Sequence, residues 1–192
     1  MRVKLVCGDL TAFSGDAVIN AANPTLLGGG GVDGAIHRAA GPKLMEHCRD
    51  LPLIEAGVRC LPGFVRVTPA FDLPCKWVLH TVGPIFNLQR GGDLHPGETT
   101  TLSGVGARLE LARCFENCGR MAIAMGLQSI AFPAISTGIY GCPLGVCAMV
   151  AHNWCSQAAL SSLDVTFYLM PDSYNIWLKE FGPETAFGVD LP

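Results

Sequence analysis

Along the chain, short apolar runs alternate with stretches whose apolar residues recur every three or four positions. The runs Val3–Cys7, Ala17–Asn20, Phe64–Thr68, Trp77–Val82, Ser129–Pro133 and Val165–Met170 read as strands. The helical spacing predicts helices over Gly34–Cys48, Ala107–Met125, Pro143–Leu160 and Tyr174–Phe181. Several strands are continuously apolar rather than alternating, which suits strands covered on both faces. The order predicts an α/β fold, a three-layer α/β/α sandwich around a central mixed, mostly parallel six-stranded sheet. Gly41-Pro42 should interrupt or kink the first helix, and Pro143 suits the first turn of the third. Residues Asn87–Gly106 lack apolar periodicity and read as a long surface loop. The expected organisation is a single domain over 1–182 followed by an irregular tail, 183–192.

The chain's 192 residues, 49% hydrophobic and 15% charged, are enough for one buried core. No apolar run approaches the length of a membrane helix. The opening MRVKLVCGDL lacks the apolar centre and cleavage site of a secretory signal, so the expected location is the cytoplasm, or the nucleus or the interior of a host cell. A net charge of −3 disfavours a nucleic-acid partner. The nine cysteines are odd in number and form no CxxC pair, so free thiols are expected. Cys142, Cys147, His152 and Cys155 come nearest to a metal cluster. Helical positions five apart, such as Cys147 and His152, diverge by about 140°, whereas zinc needs convergent ligands. No metal is expected.

Ligands of open α/β sheets bind beyond the carboxyl ends of the strands. Three predicted strand ends carry unusual residues. The first is CGDL, with Asp9. The second is VINAANPTLLGGGGVDG, with Asn20, Asn23 and the four glycines Gly28–Gly31. The third is AFPAISTGIYGCP, with Ser136, Thr137, Gly138 and Gly141. Glycine lets backbone N–H groups approach an anion closely, and a following helix N-terminus adds positive partial charge. Two such loops would clamp two linked phosphates without a lysine. No GK[ST] follows the glycine run, and its spacing fails the dinucleotide fingerprint. Asp33 and His37, four residues apart, share one helix face behind it.

The segments GDL, VINAANPTLLGGGGVDGAIHRAAG, HTVGP and AFPAISTGIYGCP resemble the macrodomain family, most closely its MacroD-type branch, over about residues 5–175. The resemblance implies ADP-ribose held between two loops. It also implies hydrolysis of the ester linking mono-ADP-ribose to Asp or Glu of proteins, together with deacetylation of O-acetyl-ADP-ribose. No metal or redox cofactor is implied. The implied partners are ADP-ribose, O-acetyl-ADP-ribose and mono-ADP-ribosylated proteins. Nucleic acid enters only as an ADP-ribosylated substrate, no membrane is involved, and the molecule is a monomer.

Residue by residue, the resemblance gives Asp9 to the adenine amino group and the Leu10 amide to the ring. The alternative reading of Asp9 is a turn cap after the strand. Asn23 would bind the distal ribose, and Asn20 would support the loop. Gly29, Gly30, Gly31 and Val32 would line ribose and diphosphate. Ser136, Thr137, Gly138, Ile139 and Tyr140 would form the opposite wall. Asp33 would orient or deprotonate a water, with Asn23 and His37 completing the catalytic set, while His80 of HTVGP is read as a core or supporting residue. Family members often stack an aromatic on adenine, where this chain places Met170, with Tyr174 as a substitute. The chain starts almost at its first strand and reads as either a minimal enzyme or an excised domain. A silent ADP-ribose reader is the alternative function; it needs the loops but not Asp33.

Overall fold

The computed structural model describes residues 2–86, 104–157 and 162–189. A seven-stranded sheet forms from β1 (Val3–Cys7), β2 (Ala17–Ala22), β3 (Val65–Pro69), β4 (Trp77–Val82), β5 (Ser129–Phe132), β6 (Asp164–Leu169) and β7 (Ala186–Val189). Its spatial order is β3-β4-β2-β5-β6-β1-β7, and only the β3–β4 pair is antiparallel. The helices are α1 (Gly31–Ala40), α2 (Pro42–Asp50), α3 (Gly104–Ala124), α4 (Leu144–Cys155) and α5 (Pro171–Phe181).

Strand side chains alternate between the two faces, and the core divides accordingly. Ala17, Ile19, Leu79, Ile130, Phe132, Val165 and Phe167 pack with α3, α4 and α5. Val18, Ala22, Val78, Val82 and Ala131 pack with Ile36 and Ala40 of α1 and Leu44 and Cys48 of α2. The first layer is aromatic. Phe167 lies 4.9 Å from Trp177 and 5.6 Å from Phe132, centroid to centroid. The second layer is aliphatic and contains buried polar groups: Thr68, His80 and Asn20.

The six expected strands form the α/β/α sandwich, and the tail corrects the expectation. Residues 186–189 are not irregular but pair with β1 as a seventh strand. That edge of β1 would otherwise present open backbone donors and acceptors. Four residues interrupted by Gly188 are too few for a periodicity to register.

The helix predicted over Gly34–Cys48 is two helices. Gly41 ends α1 and opens α2 at φ 76° and ψ 178°, a conformation that excludes ordinary side chains. Pro42 then supplies the fixed φ of a first turn. The chain enters α1 at Gly31, three residues earlier than predicted, so Asp33 lies in the first turn. Of the predicted 87–106 loop, residues 104–106 begin α3, and 87–103 lie outside the described residues, as do 158–160 of the predicted third helix. Among the described residues no helix is long and apolar enough to cross a membrane.

Candidate functional site

β1, β2, β5 and β6 run parallel, so their carboxyl ends share one edge. There the chain after β1, the glycine loop after β2, the second loop after β5 and Met170 after β6 come together. β2 and β5 are neighbours, which sets the two glycine-bearing loops side by side.

The first loop is built by Asn23. Its Oδ1 accepts from the Thr25 amide at 3.0 Å and the Thr25 hydroxyl at 2.6 Å, and its Nδ2 donates to the Gly28 carbonyl at 2.9 Å. These bonds fold 23–28 into a compact turn and deliver the glycines to the start of α1. Loop support, expected of Asn20, therefore falls to Asn23. Asn20 lies inside β2 and donates to Asp33 Oδ1 at 2.7 Å. Gly30 caps α1 without any side chain, and Gly31 has φ 59°. A Cβ at Gly30 or Gly31 would meet no atom within 4 Å, so both face open space. Their amides and that of Val32 carry no hydrogen bond among the described residues. They combine with the positive end of α1 into an anion-binding surface.

Asp33 is 4% exposed. Its Oδ1 takes the Asn20 bond and lies 3.5 Å from His37 Nε2. A Cβ at Gly29 would stand 3.0 Å from Asp33 Oδ2 and 3.3 Å from Asn23 Nδ2, so the two side chains converge where glycine leaves room. Burial lowers the pKa of His37, and the Asp33 carboxylate works against that shift. The net direction favours a neutral imidazole beside the acid. The predicted set Asn23, Asp33 and His37 is thus contiguous.

The second loop departs from expectation in one respect. Ser136 takes φ 63°, and its hydroxyl turns inward against Gly83, where a Cβ on that glycine would overlap it. The Thr137 hydroxyl donates to the Ala134 carbonyl at 2.8 Å. The Thr137 hydroxyl is spent inside the loop, while the Ser136 hydroxyl is buried against Gly83 without a hydrogen-bond partner among the described residues; the loop itself is closed by the Cys142 amide donating to the Ser136 carbonyl at 2.9 Å. What remains is backbone: the amides of Gly138 and Ile139 have no hydrogen-bond partner among the described residues. The Phe86 amide braces this loop by donating to the Tyr140 carbonyl at 2.7 Å. The tight Gly83–Ser136 packing could have been suspected from the glycine of HTVGP.

Asp9 caps a short 3-10 turn, accepting from the Thr11 amide at 2.9 Å, yet the residue is exposed at the sheet edge. The turn-cap reading is therefore observed. Leu10 is buried beneath it. Met170 is 71% exposed, and its carbonyl accepts from Ser173 and Tyr174 at the start of α5. Tyr174 packs on the core instead. Elsewhere, Cys142 donates to Pro143 O, Cys147 donates to Ile135 O and His152 faces Glu180 at 3.5 Å. No group of three His, Cys, Asp or Glu side chains is placed to hold a metal ion among the described residues.

A family profile described as the Macro domain matches residues 19–151, which contain both glycine-bearing loops. The chain belongs to the Macro domain family. A macro domain-containing protein of Xanthomonas axonopodis is 48% identical over 151 residues, covering 79% of this chain and 76% of the relative. A protein of Enterobacter named O-acetyl-ADP-ribose deacetylase is 44% identical over 156 residues, covering 81% and 78%. Among solved structures, a glycine variant of the Oceanobacillus iheyensis macrodomain with ADPR superposes with a TM-score of 0.79 at 35% identity, covering 92% of this chain and 89% of that one. A Trypanosoma brucei macrodomain in complex with ADP-ribose gives 0.73 at 33% identity, covering 94% and 69%. In this macrodomain the convergence of Asn23, Gly29 and Asp33 sits within the matched segment.

Proposed function

We propose that this macrodomain hydrolyses esters of ADP-ribose, both O-acetyl-ADP-ribose and the linkage between mono-ADP-ribose and Asp or Glu side chains of proteins. The observation that carries this reading is the Asp33 carboxylate, buried behind open glycines and held by Asn20 at 2.7 Å. A phosphate cradle alone gains nothing from an acid beside its anion. Relatives named O-acetyl-ADP-ribose deacetylase and structural neighbours holding ADP-ribose support the same substrate class.

In this reading the amides of Gly30, Gly31 and Val32 face those of Gly138 and Ile139 across the diphosphate. Asn23, which has a second N–H beyond its bond to Gly28, reaches a ribose hydroxyl. Tyr140 flanks the distal ribose, while Asp9, Leu10 and Met170 border the adenine. Asp33 orients a water and accepts its proton as the water's oxygen attacks the ester. For the acetyl ester the products are acetate and ADP-ribose; for the protein ester they are the free carboxylic side chain and ADP-ribose. His37 borders the acid on the same helix face, its Nε2 3.5 Å from Oδ1.

The test is release of ADP-ribose from a protein carrying Asp/Glu-linked mono-ADP-ribose, and of acetate from O-acetyl-ADP-ribose. Asp33→Ala should lower both rates by about 10²–10⁴ and change ADP-ribose affinity by much less. Full activity in Asp33→Ala would remove the assigned mechanism. Binding without release in the native protein would select the reader.

A further inference from the structure

Behind Asp33 lies a row of buried polar side chains that crosses three strands. Parallel pairing of β2 with β4 sets Asn20 directly opposite His80. Both are completely buried on the face covered by α1 and α2. Asn20 Nδ2 lies 2.7 Å from Asp33 Oδ1 and 3.1 Å from His80 Nδ1. His80 Nε2 lies 2.9 Å from Thr68 Oγ1 of β3 and 3.9 Å from Cys48 Sγ of α2.

The proton positions in this row follow from chemistry. A carboxylate only accepts, so the Asn20 group facing Asp33 is its NH₂. The same nitrogen carries a second hydrogen, and His80 Nδ1, 3.1 Å away, is within hydrogen-bond reach of it. Nδ1 must then offer a lone pair, which leaves the imidazole proton on Nε2 and directed at the Thr68 oxygen. A proton on Nδ1 would face the NH₂ donor to donor. Asn20 would then gain by rotating its amide, turning its carbonyl toward the Asp33 carboxylate. Burial holds His80 neutral by pushing its pKa down to about 3, with the nearby His37 and His47 acting in the same direction.

We propose that His80, in its Nε2–H form fixed by Thr68, is a positioning residue that locks the amide orientation of Asn20 and thereby aims the Asp33 carboxylate. The inference rests on the reading of Asp33 as the hydrolytic group. His80 touches neither loop nor ligand; it acts only through Asn20.

The experiment compares His80→Asn, His80→Gln and Thr68→Val with the native protein. An Asn carbonyl reproduces the acceptor at the Nδ1 position; a Gln amide reaches toward Thr68 and leaves nothing facing Asn20. The expected result is a fall of up to about 100-fold in kcat for O-acetyl-ADP-ribose in His80→Gln, the scale of a misplaced catalytic group. His80→Asn should recover most of that fall, and Thr68→Val should lie between them. ADP-ribose Kd should move by less than about threefold in all three. Thermal midpoints are measured alongside. Activity that simply follows the midpoints, or equal losses in Asn and Gln, would overturn the proposal.

A second readout is independent of turnover. ¹⁵N NMR of the native protein should show His80 with bare Nδ1 and protonated Nε2, unchanged between about pH 5 and 8. Protonated Nδ1 would overturn the proposal even in an active enzyme. The expected tautomer in a protein that binds ADP-ribose but releases nothing would instead remove the hydrolase reading and leave the Asn20–His80 geometry standing.

Discussion

A methyl group on Gly34 would stand 2.5 Å from the Gly29 carbonyl oxygen, while one on Gly30 would meet nothing within 4 Å. The two glycines therefore answer to different demands. Gly34 lets α1 close on its own entry loop. Ala would gain about 1 kcal/mol of helix propensity there, but the clash is with backbone, which cannot swing aside, and overpacking of this kind costs about 1–3 kcal/mol. Gly30 has extended backbone that any residue adopts, φ −89° and ψ −179°. Gly34→Ala should thus lower the thermal midpoint clearly, and Gly30→Ala, at an N-cap with no side-chain bond to lose, should lower it much less. ADP-ribose affinity measured by calorimetry should fall by roughly tenfold or more in both, the scale of one misplaced methyl in a fitted site. In the first the loop is displaced; in the second the methyl occupies the ligand's space. An unaltered affinity in Gly30→Ala would mean that the open space beside the glycine run is not where the diphosphate lies.

Strand register is what carries the remote half of the site, and Asp16 sets it from the opposite edge of the sheet. Its Oδ2 accepts from the amides of Gln128 at 2.8 Å and Ser129 at 3.1 Å, its Oδ1 from Lys76 Nζ at 2.7 Å, and its carbonyl from the amides of Lys76 and Trp77. One residue thereby aligns the starts of β2, β4 and β5. Removing the carboxylate breaks both amide bonds, which are exposed and part-buried, at about 0.5–1.5 kcal/mol each. The exposed Lys76 bond adds little. Asp16→Ala should lower the urea midpoint accordingly while ADP-ribose affinity stays native, because the site lies beyond the other ends of these strands. Equal losses in stability and affinity would contradict that separation. This dependence on register also explains what the sequence could not disclose. Asn23, Gly28–Gly31, Asp33 and His37 lie within fifteen residues, so loop chemistry and helical spacing suffice to group them. Asn20 meets His80 only through the pairing of β2 with β4, which no periodicity states. Side-chain direction is hidden in the same way: positive φ at Ser136 turns its hydroxyl inward, and composition carries no trace of that.

At the scale of the molecule, the alternation of apolar runs and helical stretches was enough for the sandwich. β7 escaped because an edge strand of four residues is defined by its partner and not by its own pattern. The division of the core has a further consequence, since one layer buries imidazoles and both bury thiols. His37 and His80 lie below the ordinary 6.5 through burial, His80 at about 3. The unfolded chain therefore binds protons that the folded one refuses, and stability falls as pH drops below 6.5, by up to about 1.4 kcal/mol per unit for each group. Asp16, held below 3.8 chiefly by its bonds to Lys76 and the Gln128 amide, extends the loss to lower pH. Glu110, raised by burial, opposes it only around its own ordinary 4.5. On the alkaline side burial raises Cys48, Cys60, Cys114 and Cys155 from 9.0 to about 12. Above 9.0 the unfolded chain releases protons that the folded one keeps, so stability falls again, and more steeply because more groups take part. Urea midpoints across pH should show a plateau between about 6.5 and 9, a shallow acid limb and a steep alkaline one. His80→Asn should flatten the acid limb whatever it does to the plateau's height, and an acid limb of native slope in that variant would show that His80 is not the group being protonated.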